Sequence, residues 1–143
     1  MGTYNSGVGV FTLGNNTTGT FNSAFGSYAL RSNSTGDYNS ALGGYTLYSN
    51  TSGYSNSTFG YISTENNTTG NYNSAMGNSR LKSNTTGYSN STFGYASMLN
   101  NTTGYYNAAF GQSALHDNTN GDRNAAFGVD AMQNNISGYQ NTA

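Results

Sequence analysis

Apolar residues recur along this chain at two places five residues apart, separated by a glycine. The first column is Val8, Phe25, Leu42, Phe59, Met76, Phe93, Phe110 and Phe127, and the second is Leu13, Leu30, Leu47, Leu81, Met98, Leu115 and Met132, with Thr64 in the same phase. Each residue of the first column is followed by glycine, as at Gly26, Gly43, Gly60, Gly77, Gly94 and Gly111. Short, small-residue segments bounded by glycine read as strands. The pattern predicts one strand over residues 22–25, a turn at Gly26 that needs positive φ, a second strand over 27–30, and a turn over 32–36 rich in Asn, Ser and Thr. Both apolar columns are expected in the core: Phe25, Leu30, Leu42, Leu47, Phe59, Met76, Leu81, Phe93, Met98, Phe110, Leu115, Phe127 and Met132. Two glycines per unit, with Ser, Thr and Asn between them, rule against helix.

The unit is seventeen residues long and restarts at 2, 19, 36, 53, 70, 87, 104, 121 and 138 without an insertion. A fixed period of this length denotes stacked repeats. The predicted fold is all-β, a parallel β-solenoid or β-roll of eight 17-residue coils plus a partial ninth, forming a single repeat domain over 1–143. Asn22, Asn39, Asn56, Asn73, Asn90, Asn107 and Asn124 fall in register on successive coils, where identical amides stacked about 4.8 Å apart form a hydrogen-bonded ladder. Composition rich in Asn, Ser, Gly and Tyr also describes low-complexity disorder, but a disordered chain has no reason to keep this phase. Two apolar side chains per coil do not offset the ordering of seventeen residues, so ladder bonds, stacking and association with other chains are expected to contribute. The units starting at 53 and 87 match each other better than they match the unit between them.

With 6% charged residues and a net charge of −1, the chain has no basic field for nucleic acid or an anionic membrane. Cysteine and proline are absent, which leaves out disulfides and thiolate metal sites and suits unbroken ladders. No apolar run of eighteen residues is present, so membrane insertion is not expected. His116 beside Asp117 is a conceivable acid–base pair, but it occupies a place where Arg31, Tyr48, Glu65, Lys82, Leu99 and Gln133 also stand, and such mixed chemistry signals solvent. The five acidic residues share no column that would bind calcium, and no phosphate loop follows from the glycines. Neither metal, cofactor nor catalytic residue is expected, and the chain is not expected to be an enzyme. Asn16, Asn33, Asn50, Asn67, Asn84, Asn101 and Asn135 satisfy N-x-S/T and are candidate glycosylation sites. Paired threonines such as Thr68 and Thr69 raise a weaker reading, an ice-binding solenoid, against which stands the opposite facing of adjacent strand residues.

Units of the form N-S/T-A-Φ-G-x-x-A-L-x-x-N-T-T-G, at 22–36, 39–53 and 107–121, resemble the seventeen-residue repeats in shafts of phage tail-fibre and related bacterial fibre proteins. The shorter Asn-Ser-Ala-Phe-Gly is similar to head repeats of trimeric autotransporter adhesins, whose period differs. The resemblance implies a trimeric β-rich fibre, located extracellularly, at a cell surface or on a virion, that provides reach and attachment. The implied partners are other copies of the chain, as a lateral trimer or stacked end to end, and a cell-surface receptor or glycan. No receptor-binding tip or coiled-coil stalk is written in these residues. Both ends of the repeat lack a cap, and open strand edges invite pairing; the alternative expectation is therefore a filament assembling head to tail.

Overall fold

The computed structural model describes residues 2–143. It contains eight three-residue strands: β1 (Ser6–Val8), β2 (Ser23–Phe25), β3 (Ser40–Leu42), β4 (Ser57–Phe59), β5 (Ser74–Met76), β6 (Ser91–Phe93), β7 (Ala108–Phe110) and β8 (Ala125–Phe127). They form one parallel sheet in chain order, with Ser23 opposite Ser40, Ala24 opposite Ala41 and so on at a constant offset of one repeat. The chain is a β-solenoid, as its period predicts.

Each coil has one strand rather than two. Residues 27–30 are turn, because Tyr28 and Leu30 adopt φ of 63° and 48°, and every coil repeats positive φ at these two places. A third positive-φ residue precedes the Asn ladder, as at Phe21 with 57°. Left-handed backbone costs a non-glycine residue roughly 1–2 kcal/mol, so the bends persist only because neighbouring coils hold them. They do so through the main chain: Leu30 N donates to Thr46 O at 3.0 Å, Ser32 N to Tyr48 O at 3.0 Å and Tyr28 N to Val10 O at 2.8 Å. Ladder bonding thus continues around the turns, well outside the strands.

The interior is narrow. Ala24, Ala41, Ala75, Ala109 and Ala126 on the middle strand residue are buried, as are Leu30, Leu47, Leu81, Met98 and Leu115. The first apolar column is not in the core, contrary to the sequence expectation. Phe25, Leu42, Phe59, Met76, Phe93, Phe110 and Phe127 are 37–59% exposed. Alternation along a strand explains this: with the middle residue inside, its two neighbours point outward. Leu13 and Met132, in the end coils, are partly buried and pack against the two ends of the apolar core.

Candidate functional site

Three surfaces and one internal spine are built from the repeat. The spine lies where the first glycine of each unit meets two asparagine columns. Asn39 Nδ2 donates to Asn22 Oδ1 of the preceding coil at 3.1 Å and to Gly53 O of the following coil at 2.8 Å, and Asn39 N donates to the same Asn22 Oδ1 at 2.9 Å. The pattern repeats through Asn56, Asn73, Asn90, Asn107 and Asn124. A second ladder runs beside it: Asn50 Nδ2 donates to Asn33 Oδ1 at 2.7 Å and to Gly53 O at 2.9 Å. Each such glycine carbonyl therefore accepts from both columns. A Cβ on Gly53 would lie inside van der Waals contact with Asn50 Oδ1 and Gly70 O, so glycine is required there by close approach rather than by φ. At Gly26 the requirement is conformational, with φ of 135°.

This spine runs against the glycosylation expectation at the buried asparagines, although Asn15 and Asn66, in N-x-T sequons one residue earlier, are exposed. Asn33, Asn50, Asn67, Asn84 and Asn101 are fully buried, and the Nδ2 that a glycan would occupy already donates two hydrogen bonds. Asn16 and Asn135, in the end coils, are part-buried with Nδ2 engaged on Gly19 O and Asn118 Oδ1. The first threonine of a pair is engaged as well: Thr68, Thr85 and Thr102 each donate Oγ1 to the next coil's carbonyl at 3.0–3.2 Å.

The core between the ladders is interrupted in its middle. Thr64 replaces leucine, Thr58 and Thr92 replace alanine, and their buried hydroxyls, with that of Ser63, have no partner. Arg80 stands where Ala29 and Ala114 stand in other coils and is only 5% exposed. Its Nε donates to Gly94 O, as the Thr12 and Thr46 hydroxyls do to Gly26 O and Gly60 O, while Nη1 is unpaired. No carboxylate faces it, and burial pulls its pKa down to about 10. Unpartnered buried polar groups cost about 1–3 kcal/mol each.

The first outer surface is the strand face, where Val8, Phe25, Leu42, Phe59, Met76, Phe93, Phe110 and Phe127 form a continuous apolar stripe. Ser23, Ser40, Ser57, Ser74 and Ser91 run alongside, and a shallow groove of about 330 Å³ opens between Phe25, Leu42 and Phe59. The second surface is an aromatic corner just before the Asn ladder. Tyr4, Phe21 and Tyr38 stack at 4.8 and 5.1 Å with planes within 7°. Further along, Tyr54, Asn71, Tyr72, Tyr88, Ser89 and Tyr106 line a groove of about 370 Å³. The third lies across the turns, where Phe11, Tyr28 and Tyr48 surround the Arg31 guanidinium at 5.7–5.8 Å.

His116 and Asp117 are part-exposed and bond to each other, Nδ1 to Oδ1 at 2.6 Å. That bond and one from Asn100 hold the Asp117 carboxyl below its ordinary value. Asn100 Nδ2 of the preceding coil donates to Asp117 Oδ1 at 3.0 Å. Among the described residues, no cluster of three or more His, Asp or Glu side chains is placed to hold a metal ion. No family model matches the chain, and no curated protein or solved structure matches it either.

Proposed function

We propose that the chain is a structural element of an extracellular, cell-surface or virion fibre, in which copies associate side by side through their strand faces and serve attachment. The reading assigns it no reaction. The observation that carries it is the apolar stripe, exposed over all eight coils. Its eight residues are 37–62% exposed in one unbroken row, and a contiguous apolar patch of this kind marks an interaction surface, unlike the scattered single hydrophobics normal on a monomer. No charged residue stands in the stripe's own column, although the Arg80 guanidinium lies over the Phe93 ring at 5.6 Å. A second copy is the fitting occupant because its own stripe repeats with the same rise of about 4.8 Å per coil, so contacts made at one rung recur at every rung. The resemblance to fibre shafts points the same way.

The test is light scattering over a concentration series on the chain and on the double variant Phe59→Ser, Phe93→Ser. The expected result is an assembly of two or more chains that the variant loses while keeping its β circular dichroism. A chain that is monomeric throughout, or a variant that assembles unchanged, overturns the reading.

A further inference from the structure

The aromatic corner is a ladder with missing rungs. Its column runs Tyr4, Phe21, Tyr38, Ser55, Tyr72, Ser89, Tyr106 and Arg123, one residue per coil. Where successive coils both carry a ring, the rings stack face to face at 4.8–5.1 Å. In the coils of Ser55 and Ser89 the tyrosine has moved one residue earlier, to Tyr54 and Tyr88, and leaves a serine in the rung. Tyr72 and Tyr106 are thus separated by two coils, about 9.6 Å of rise, and a groove of about 370 Å³ opens between them.

The walls of the Ser89 gap are buttressed. Tyr54 stands edge-on to Tyr72 at 5.1 Å from the preceding coil. Arg123 lies over Tyr106 at 5.9 Å from the following coil. Tyr88, stacked on Tyr105 at 4.8 Å and edge-on to Tyr106 at 5.4 Å, closes one side. Polar atoms sit at the margin: Ser89 in the rung, and Asn71, whose Oδ1 accepts from Tyr54 N at 2.8 Å and leaves Nδ2 as a donor. The neighbouring Tyr54 hydroxyl raises the Tyr72 phenol above its ordinary value, and burial raises that of Tyr88. No charged side chain lines the groove.

We propose that this gap binds a single uncharged pyranose ring of a glycan, its C–H faces against the Tyr72 and Tyr106 rings and its hydroxyls toward Asn71 and Ser89. A flat apolar face bounded by polar edges is what tyrosine walls and a polar rim complement. The site goes beyond self-association, since none of the stripe residues lines it.

The experiment is saturation-transfer NMR and calorimetry with three probes, cellotriose, maltotriose and the trimer of N-acetylglucosamine, at millimolar concentration. The chain is compared with Tyr72→Ala and with Ser89→Tyr, which supplies the missing rung. Tyrosine already adopts this place at Tyr72 and Tyr106 with φ of 57° and 54°, against 53° at Ser89, so the substitution fits the backbone. At least one trisaccharide is expected to bind, and Ser89→Tyr is expected to weaken it by at least about tenfold. Failure of all three to bind, or equal binding by Ser89→Tyr, overturns the proposal. Light scattering on the same samples separates the two readings: loss of the glycan site leaves assembly intact, and loss of assembly leaves the glycan site intact.

Discussion

The two apolar columns differ by five residues in sequence and by nearly everything in environment. Leu30, Leu47, Leu81, Met98 and Leu115 are fully buried, whereas Phe25, Phe59, Phe93 and Phe110, the larger side chains, are 37–54% exposed. Size explains part of the contrast. A coil of seventeen residues encloses two asparagines, a glycine, one or two alanine-sized groups and a single leucine, and no phenylalanine fits beside them. In this solenoid the polar ladders are inside and the largest apolar residues are outside. Hydrophobicity therefore marks an exposed face here as readily as a core.

Several changes would break or sharpen that contrast. The largest effect is expected of Gly70→Ala, whose methyl group would meet Asn67 Oδ1 and Gly87 O with no flexible atom to yield; loss of the cooperative thermal transition is the expected outcome. Asn73→Leu comes next. It removes donors to Asn56 Oδ1 and Gly87 O and the acceptor for Asn90, and should cost at least about 3 kcal/mol in denaturant unfolding. Two interior changes should stabilise: Arg80→Ala removes a buried cation with no counter-ion and an unpartnered Nη1, and Thr64→Leu restores the leucine column, each by about 1–3 kcal/mol. The lowered Arg80 pKa gives a sign as well. The unfolded chain binds the extra proton above about pH 10, so the Arg80 penalty fades as pH rises through that range, and the advantage of Arg80→Ala should shrink with it. Smallest is Phe93→Ser in the dissociated chain, expected within about 1 kcal/mol of the parent because the side chain is more than half exposed and gives up only its contact with Arg80.

The fold was legible because the period is strict and the glycine and asparagine columns never lose phase. The side on which Phe25 lies was also readable in principle. Asn22 and Ala24 share one face of the strand, so an interior Asn ladder forces Phe25 outward; ranking residues by hydrophobicity hid this. The second strand was misread because Tyr28 and Leu30 take left-handed backbone without any glycine to signal it. That bend is imposed by coil-to-coil hydrogen bonds, which no local pattern encodes. The sequon reading missed the buried column for a related reason: N-x-S/T states what an enzyme recognises, not that Asn50 Nδ2 is committed to Asn33 and Gly53. The aromatic gap had a sequence signal, the one-residue shift of tyrosine at Tyr54 and Tyr88, visible in the likeness of those two units.

The most direct test uses the chain's own methionines. Met76 lies on the outer stripe at 48% exposure, and Met98 lies in the interior leucine column at 0%. Mild peroxide treatment of the dilute native chain, followed by peptide mass spectrometry, reads both sites at once. The expected result is rapid sulfoxide formation at Met76 and protection of Met98 until the chain unfolds. Oxidation of Met98 as fast as Met76 would contradict an interior built on leucine and asparagine with the phenylalanine stripe outside it.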